Sequence, residues 1–167
     1  LVGSIYGYGK ELKIVAKNPK EYDSSSVKFW GSGAASCPPT TIEGMKKISK
    51  GIFIEAYGLT ETSPITNMNP PKGEQKVESI GIPLPNTSCK IIDIQTEAEC
   101  APDQAGELLI KGPQVFSGYW NKPNATNIAI DENGWFHTKD MATVDVDGYF
   151  YIKGRLDDMI NVRGEKA

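Results

Sequence analysis

The chain has 167 residues, 39% of them hydrophobic, which is enough for a genuine core in one ordinary domain or two small ones. Its 18 basic and 21 acidic residues leave a formal charge of −3, so there is no broad positive field, and nucleic acid is not an expected partner. Cys37, Cys89 and Cys100 are odd in number, far apart and without a CxxC pair, which argues against a disulfide framework or a zinc site and suits a reducing, cytoplasmic setting.

No apolar stretch approaches the roughly 18 residues of a membrane span, and no secretory leader pattern is present. Residues 27 to 57 carry the first architectural signal. Val27 to Trp30 and Ile52 to Ile54 are β-prone apolar runs flanking a segment in which Ile42, Met45 and Ile48 recur on one helical face. Pro39 suits the first turn of that helix, and Lys46, Lys47 and Lys50 match its dipole near the end. The pattern predicts a β-α-β unit. If its strands are parallel, Gly31-Ser32-Gly33-Ala34-Ala35 and Tyr57-Gly58-Leu59-Thr60-Glu61 leave the same carboxyl edge, where α/β sheets form a ligand crevice.

From about residue 88 short strands and turns take over: Cys89 to Ile94, Glu107 to Lys111, Phe136 to Thr138, Ala142 to Val146 and Tyr149 to Lys153. Asn133-Gly134 and Asp147-Gly148 supply hairpin-type turns, and residues 102–106 form a surface loop. Asp145-Val146-Asp147-Gly148 lacks the glycine and glutamate positions of an EF-hand loop, so it reads as a hairpin and not as a calcium site. The expected division is a partial parallel-sheet α/β subdomain over 1–87, a β-rich, distorted barrel-like subdomain over 88–153, and a linker over 154–167.

Four stretches in order are similar to the motifs of the adenylate-forming superfamily, which includes acyl-CoA synthetases, luciferases and peptide-synthetase adenylation domains. They are Ala56 to Thr62, Gly106 to Gly112, Phe136 to Asp140 and Gly154 to Asp158, with Phe116-Ser117-Gly118-Tyr119-Trp120 between the second and third. The resemblance implies the large N-terminal domain of an enzyme that joins a carboxylic acid to the α-phosphate of ATP and passes the acyl group to coenzyme A. Making an acyl-adenylate replaces oxide, a poor leaving group, by AMP, and demands that two anions be positioned and neutralised.

Under that resemblance Gly33, Ala34, Ala35 and Gly58 border the nucleotide, and Tyr57 stacks on adenine. Thr60 hydrogen-bonds phosphate or the acyl carboxylate. Glu61 ligates Mg2+, which makes Thr60 and Glu61 the catalytic pair. Asp140 accepts both ribose hydroxyls, as an acceptor-only carboxylate suits, and Arg155 reaches ribose and phosphate with a planar, permanently charged guanidinium. Asp157 marks the hinge to a mobile C-terminal domain. Lys139 stands where much of the family has glycine, which implies an altered turn or an added charge beside Asp140. Ala56 stands where some relatives carry another small or amide residue. His137, the only histidine, reads as structural.

The family's phosphate loop and its C-terminal domain have no counterpart in these residues. The chain is therefore expected to be an interior piece that binds ATP or AMP weakly without completing adenylation, and whose cut sheet favours self-association. A fatty or related carboxylic acid is the expected substrate of the parent. The alternatives are an aryl-CoA ligase, a peptide-synthetase adenylation domain, and a non-catalytic nucleotide-binding or interaction module.

Overall fold

The structure, a computed structural model, describes residues 2–3, 23–33, 37–48, 50–158, 161–162 and 165–166. The β-α-β expectation is met. Strand β2 (Phe29–Ser32) pairs in parallel with β3 (Ile52–Gly58), and helix α1 (Pro39–Ile48) crosses between them. Strand β1 (Val2–Gly3) adds a further parallel neighbour to β2.

Alternation along the two strands explains why the helix docks where it does. In register, Trp30 lies beside Phe53, and both bury against Ile42 and Met45 of the helix together with Cys37. Their neighbours Phe29 and Ile52 occupy the opposite face and are exposed.

Beyond Gly58 the chain reverses. Strands β4 (Ile65–Met68) and β5 (Ile82–Pro83) join antiparallel, giving a five-stranded sheet in the order β1-β2-β3-β4-β5. This sheet is thus mixed, and only its first three strands are parallel.

The expected β-rich part is a four-stranded antiparallel meander, β6 (Ser88–Ile92), β7 (Gly106–Lys111), β8 (Phe136–Val144) and β9 (Phe150–Arg155). It is open, with β6 and β9 at its edges, so the barrel-like form expected from the short strands does not close among the described residues. Central β7 carries Leu108, Leu109 and Ile110, all buried, so both of its faces are covered. Ile91, Leu108, Ile110, Ala142 and Phe150 form the core of this sheet, and Tyr57 packs against it from the other sheet.

Phe136 to Val144 is one strand where the sequence suggested two. The step from His137 to Met141 on β8 matches the step from Leu109 to Glu107 on β7, so β8 carries two extra residues in a bulge around Thr138-Lys139-Asp140. Lys139 takes a φ of 60° there. Such a bulge interrupts the alternation that marks a strand, which is why the sequence divides at this point.

Helix α2 (Pro123–Ala129) was not foreseen. Pro123 fits its first turn, but Lys122 at its cap offers no side-chain acceptor, and the helix is short. The two short strands β10 (Asn161–Val162) and β11 (Glu165–Lys166) pair antiparallel with each other.

The segment between β4 and β5 is tied to the β8–β9 hairpin by backbone hydrogen bonds between Ile80 and Gly81 and Phe150, and by one lysine. Lys76 Nζ lies 2.7 Å from Asp145 Oδ2 and 2.7 Å from Asp147 Oδ2, and 4.6 Å from the centroid of the Tyr149 ring. The hairpin itself is closed by Asp145 N–H donating to Tyr149 O at 2.9 Å and Gly148 N–H to Asp145 O at 3.0 Å. Both aspartates are therefore engaged in a turn and an ion pair, in keeping with the hairpin reading.

Burial alone would raise the Asp145 carboxyl, but hydrogen bonds from Lys76, the Tyr149 amide and the Tyr151 hydroxyl outweigh it and hold the group down at about 2. A carboxyl whose folded pKa lies below its unfolded value contributes stability that is present above about pH 4 and is lost as pH falls through the folded value. Melting temperature is accordingly expected to fall between pH 4 and pH 2, and to fall less in Lys76→Met, which removes the main partner. An equal fall in both proteins would contradict this.

Candidate functional site

The turn after β3 is built by backbone reversal and a buried hydroxyl. Gly58 lies where the β3–β4 register shifts, and a Cβ placed on it would sit 1.6 Å from Pro64 O. Only a residue without a side chain lets β3 end so close to the start of β4. A single 3-10 turn, Thr60–Thr62, follows.

Thr62 is fully buried. Its Oγ1 accepts the Leu59 N–H at 2.9 Å and lies 3.0 Å from the carbonyl oxygens of both Leu59 and Pro64. Sequence reasoning assigned Thr60 and Glu61 and passed over this residue, although a hydroxyl three positions after Leu59 is a turn-capping spacing.

Strands from both sheets bring three of the expected residues together. Tyr57, on β3, donates its hydroxyl to Asp140 Oδ2. Arg155, the last residue of β9, donates from Nη1 to Asp140 Oδ1 at 2.9 Å, in register with Asp140 on β8. The Asp140 N–H donates to Thr138 Oγ1 at 3.0 Å, and that hydroxyl donates to Leu108 O at 2.7 Å. Asp140 is only 4% exposed, whereas the Arg155 side chain is 45% exposed. Burial, then the Asp140 carboxylate, pushes the Tyr57 phenol up, so its hydroxyl stays a proton donor.

The β8 bulge aims Asp140. Glu107, buried on β7, accepts the Lys139 N–H on Oε1 at 3.0 Å, and its Oε2 lies 3.1 Å from His137 Nδ1. His137 is thereby tied to a structural carboxylate. The positive φ at Lys139 is a physical reason for the glycine that the family resemblance implies at this position, since that conformation costs a side-chain residue about 1–2 kcal/mol. Lys139→Gly is expected to stabilise the chain by about 0.5–1 kcal/mol once the added chain entropy of glycine is subtracted. A lower urea midpoint for the variant would contradict that.

These residues border a cleft of about 290 Å³ whose walls include Glu55, Tyr57, Gly58, Ser79, Asp140 and Arg155. Glu55 and Ser79 were not assigned from the sequence. The Glu55 carboxyl is raised above the usual carboxylate range by burial, against the pull of the Cys37 and Glu78 amides. Ser79 reaches the site because its hydroxyl donates to Phe150 O at 2.9 Å and accepts the Gly81 N–H at 2.9 Å.

Thr60 and Glu61 stand outside this cleft. Thr60 is exposed. Glu61 and Asp157 line a neighbouring groove of about 430 Å³ that shares Leu59 and Arg155 with the first cleft. Asp157 is exposed in the 3-10 turn Leu156–Asp158. A third, apolar cavity of about 410 Å³ is lined by Phe29, Gly33, Ile54, Pro64, Ile65 and Met68, with Tyr57 and Gly58 also on its border. Gly33 thus meets this cavity, and Ala34 and Ala35 fall outside the described residues.

The Asp140 carboxylate has about four lone-pair directions, and two of them are used by Tyr57 and Arg155. Two remain, which fits a vicinal diol such as ribose. Glu61 offers a hard oxygen donor with a hydroxyl, Thr60, beside it. No group of three or more metal-ligating side chains occurs among the described residues. That donor set fits Mg2+ carried in by phosphate oxygens, which supply ligands of their own.

Residues 8–120 match the model of the AMP-binding enzyme family. The chain belongs to that family. It is 42% identical over 145 residues to a long-chain-fatty-acid–CoA ligase of Bacillus subtilis, covering 87% of this chain and 26% of that protein. It is 35% identical over 157 residues to a 4-coumarate–CoA ligase of Pinus taeda, covering 90% of this chain and 29% of that protein. The ATP-bound crystal structure of MatB from Rhodopseudomonas palustris superimposes with a TM-score of 0.84 at 28% identity, over 100% of this chain and 33% of that one. The chain thus spans about a quarter of the length of the curated relatives it matches.

Proposed function

We propose that this chain forms the nucleotide-facing wall of an ATP-dependent acyl-CoA ligase acting on a fatty or related carboxylic acid. The observation that carries the reading is the convergence of Tyr57, Asp140 and Arg155, from two sheets, on one cleft. In the proposed reaction the substrate carboxylate attacks the α-phosphorus of ATP and pyrophosphate leaves. The CoA thiol then attacks the acyl carbonyl and AMP departs.

Each residue has a role set by its chemistry. The Tyr57 ring gives adenine a flat neighbour, worth roughly 1–3 kcal/mol in stacking sites, while its hydroxyl braces Asp140. Asp140 accepts the ribose hydroxyls. Arg155, tethered to Asp140 yet exposed, offers its remaining donors to phosphate oxygens. Thr60 donates to phosphate or to the acyl carboxylate, and Glu61 would hold Mg2+, which neutralises charge on the phosphates when bound. Gly33 borders the bound adenylate. Asp157, exposed just past Arg155, serves as the hinge to a mobile domain.

The apolar cavity beside Tyr57 and Gly58 supports an apolar acid, since its walls offer Phe29, Ile54, Ile65 and Met68. An aryl acid would suit the same walls, and the 4-coumarate–CoA ligase relative keeps that reading in play. We place the protein in the cytoplasm with ATP and CoA, consistent with three cysteines free of disulfides. Among the described residues no helix is long and apolar enough to cross a membrane. The exposed Phe29, Ile52 and Ile65 favour self-association of the chain on its own.

Pyrophosphate release measured across a panel of straight-chain, aryl and amino acids, on the protein at the length of its relatives, tests the reading. Release with medium or long straight-chain acids is the expected result. Release with amino acids alone, or none with any acid, overturns it. The 167 residues alone are expected to bind nucleotide without acid-dependent pyrophosphate exchange.

A further inference from the structure

The stretch Phe116 to Trp120 has no role in the proposed reaction, yet it is wrapped around Glu61. The Phe116 N–H donates to Glu61 O at 2.8 Å, and the Tyr119 hydroxyl donates to Glu61 Oε1 at 2.9 Å. One short loop therefore holds both the backbone and the carboxylate of the same residue, across 58 positions of sequence.

Tyr119 is itself held on three sides. Its N–H donates to Thr126 Oγ1 at 2.9 Å, and that hydroxyl in turn donates to Lys122 O at 3.1 Å on entry to α2. Its ring meets Phe116 edge-on, with centroids 4.8 Å apart, and Phe116 meets Phe136 at 5.8 Å. Gly118, at a φ of 137°, makes the turn that brings the phenol around, and Thr126 fills the space a side chain there would need. A surface tyrosine with no task would not need three separate fixings.

We infer that Tyr119 is a positioning residue that takes one lone pair of Glu61 Oε1, fixes the carboxylate plane and so favours one-oxygen ligation through Oε2 of a divalent cation bound to phosphate. The inference rests on the proposed assignment of Glu61 to Mg2+. One-oxygen ligation suits Mg2+, which demands near-octahedral geometry and keeps its waters, whereas Ca2+ readily takes both oxygens of a carboxylate. Tyr119 would thus favour the smaller ion as well as orient its ligand.

The test is calorimetric titration of ATP into the chain at a series of Mg2+ or Ca2+ concentrations, for the unsubstituted protein, Tyr119→Phe, Thr126→Val and Glu61→Gln. A melt of each variant and a metal-free AMP titration report folding and the rest of the site. Tyr119→Phe is expected to raise the half-saturating Mg2+ concentration by about tenfold, the loss of one hydrogen bond to a charged acceptor. It should lower the half-saturating Ca2+ concentration, because both Glu61 oxygens become open to that ion, and leave metal-free AMP binding unchanged, opposite shifts that a merely structural role would not give. Thr126→Val should give a smaller shift in the same direction. Unchanged Mg2+ dependence in Tyr119→Phe alongside a clear shift in Glu61→Gln overturns the role of Tyr119 alone. No shift in Glu61→Gln overturns the assignment of Glu61 and the inference with it.

Discussion

Asp140→Asn is expected to weaken AMP binding by roughly 100-fold, the loss of two hydrogen bonds from ribose to a charged acceptor. The substitution keeps the shape of the side chain and removes its charge. Arg155 and Tyr57 both donate to this carboxylate, so an amide must turn its NH2 toward one donor or the other. That mismatch, at a residue 4% exposed, should also cost about 1–3 kcal/mol of stability. Calorimetry and urea unfolding separate the two effects. A stable variant with unchanged AMP affinity would remove Asp140 from the site.

Gly58→Ala should be the more damaging change to the fold. A Cβ there meets Pro64 O at 1.6 Å, Pro64 C at 2.5 Å and Ile65 Cα at 2.8 Å, all backbone atoms that no rotamer change can move aside. Loss of about 3 kcal/mol or more is expected, with the turn that carries Glu61 displaced. Gly148→Ala is the matched control. Its φ of 83° costs an alanine about 1 kcal/mol, but nothing lies within 4 Å of the new methyl. Comparable urea midpoints for the two variants would show that β3 and β4 do not approach as closely as the structure places them.

How much of this was legible beforehand depended on the range of the interaction. The β-α-β unit could be read because its signal is local: Ile42 and Met45 at helical spacing between two apolar runs, with Pro39 at the start. The meander was read for the same reason. The β8 bulge was not, because two extra residues break the alternation that identifies a strand, and the clue at Lys139 came only from the resemblance to relatives that carry glycine there.

Long-range polar pairs stayed hidden. Nothing in local sequence links Lys76 to Asp145, Tyr119 to Glu61, or Tyr57 to Asp140, which lie 69, 58 and 83 positions apart. Motif order said that Tyr57, Asp140 and Arg155 belong to one nucleotide. It could not say that Tyr57 and Arg155 each take one oxygen of Asp140, or that Glu61 faces a separate groove next door. Thr62 was passed over because its work is inward, holding the turn whose exposed neighbours drew attention.

The central claim is that AMP is held where β3, β8 and β9 meet. It is tested most directly by an amide NMR titration of the chain with AMP. Saturable shifts of the Tyr57, Gly58, Asp140 and Arg155 amides, absent in Asp140→Asn, are the predicted result. Shifts confined to residues away from the Tyr57–Asp140–Arg155 cleft, or identical shifts in Asp140→Asn, would contradict it.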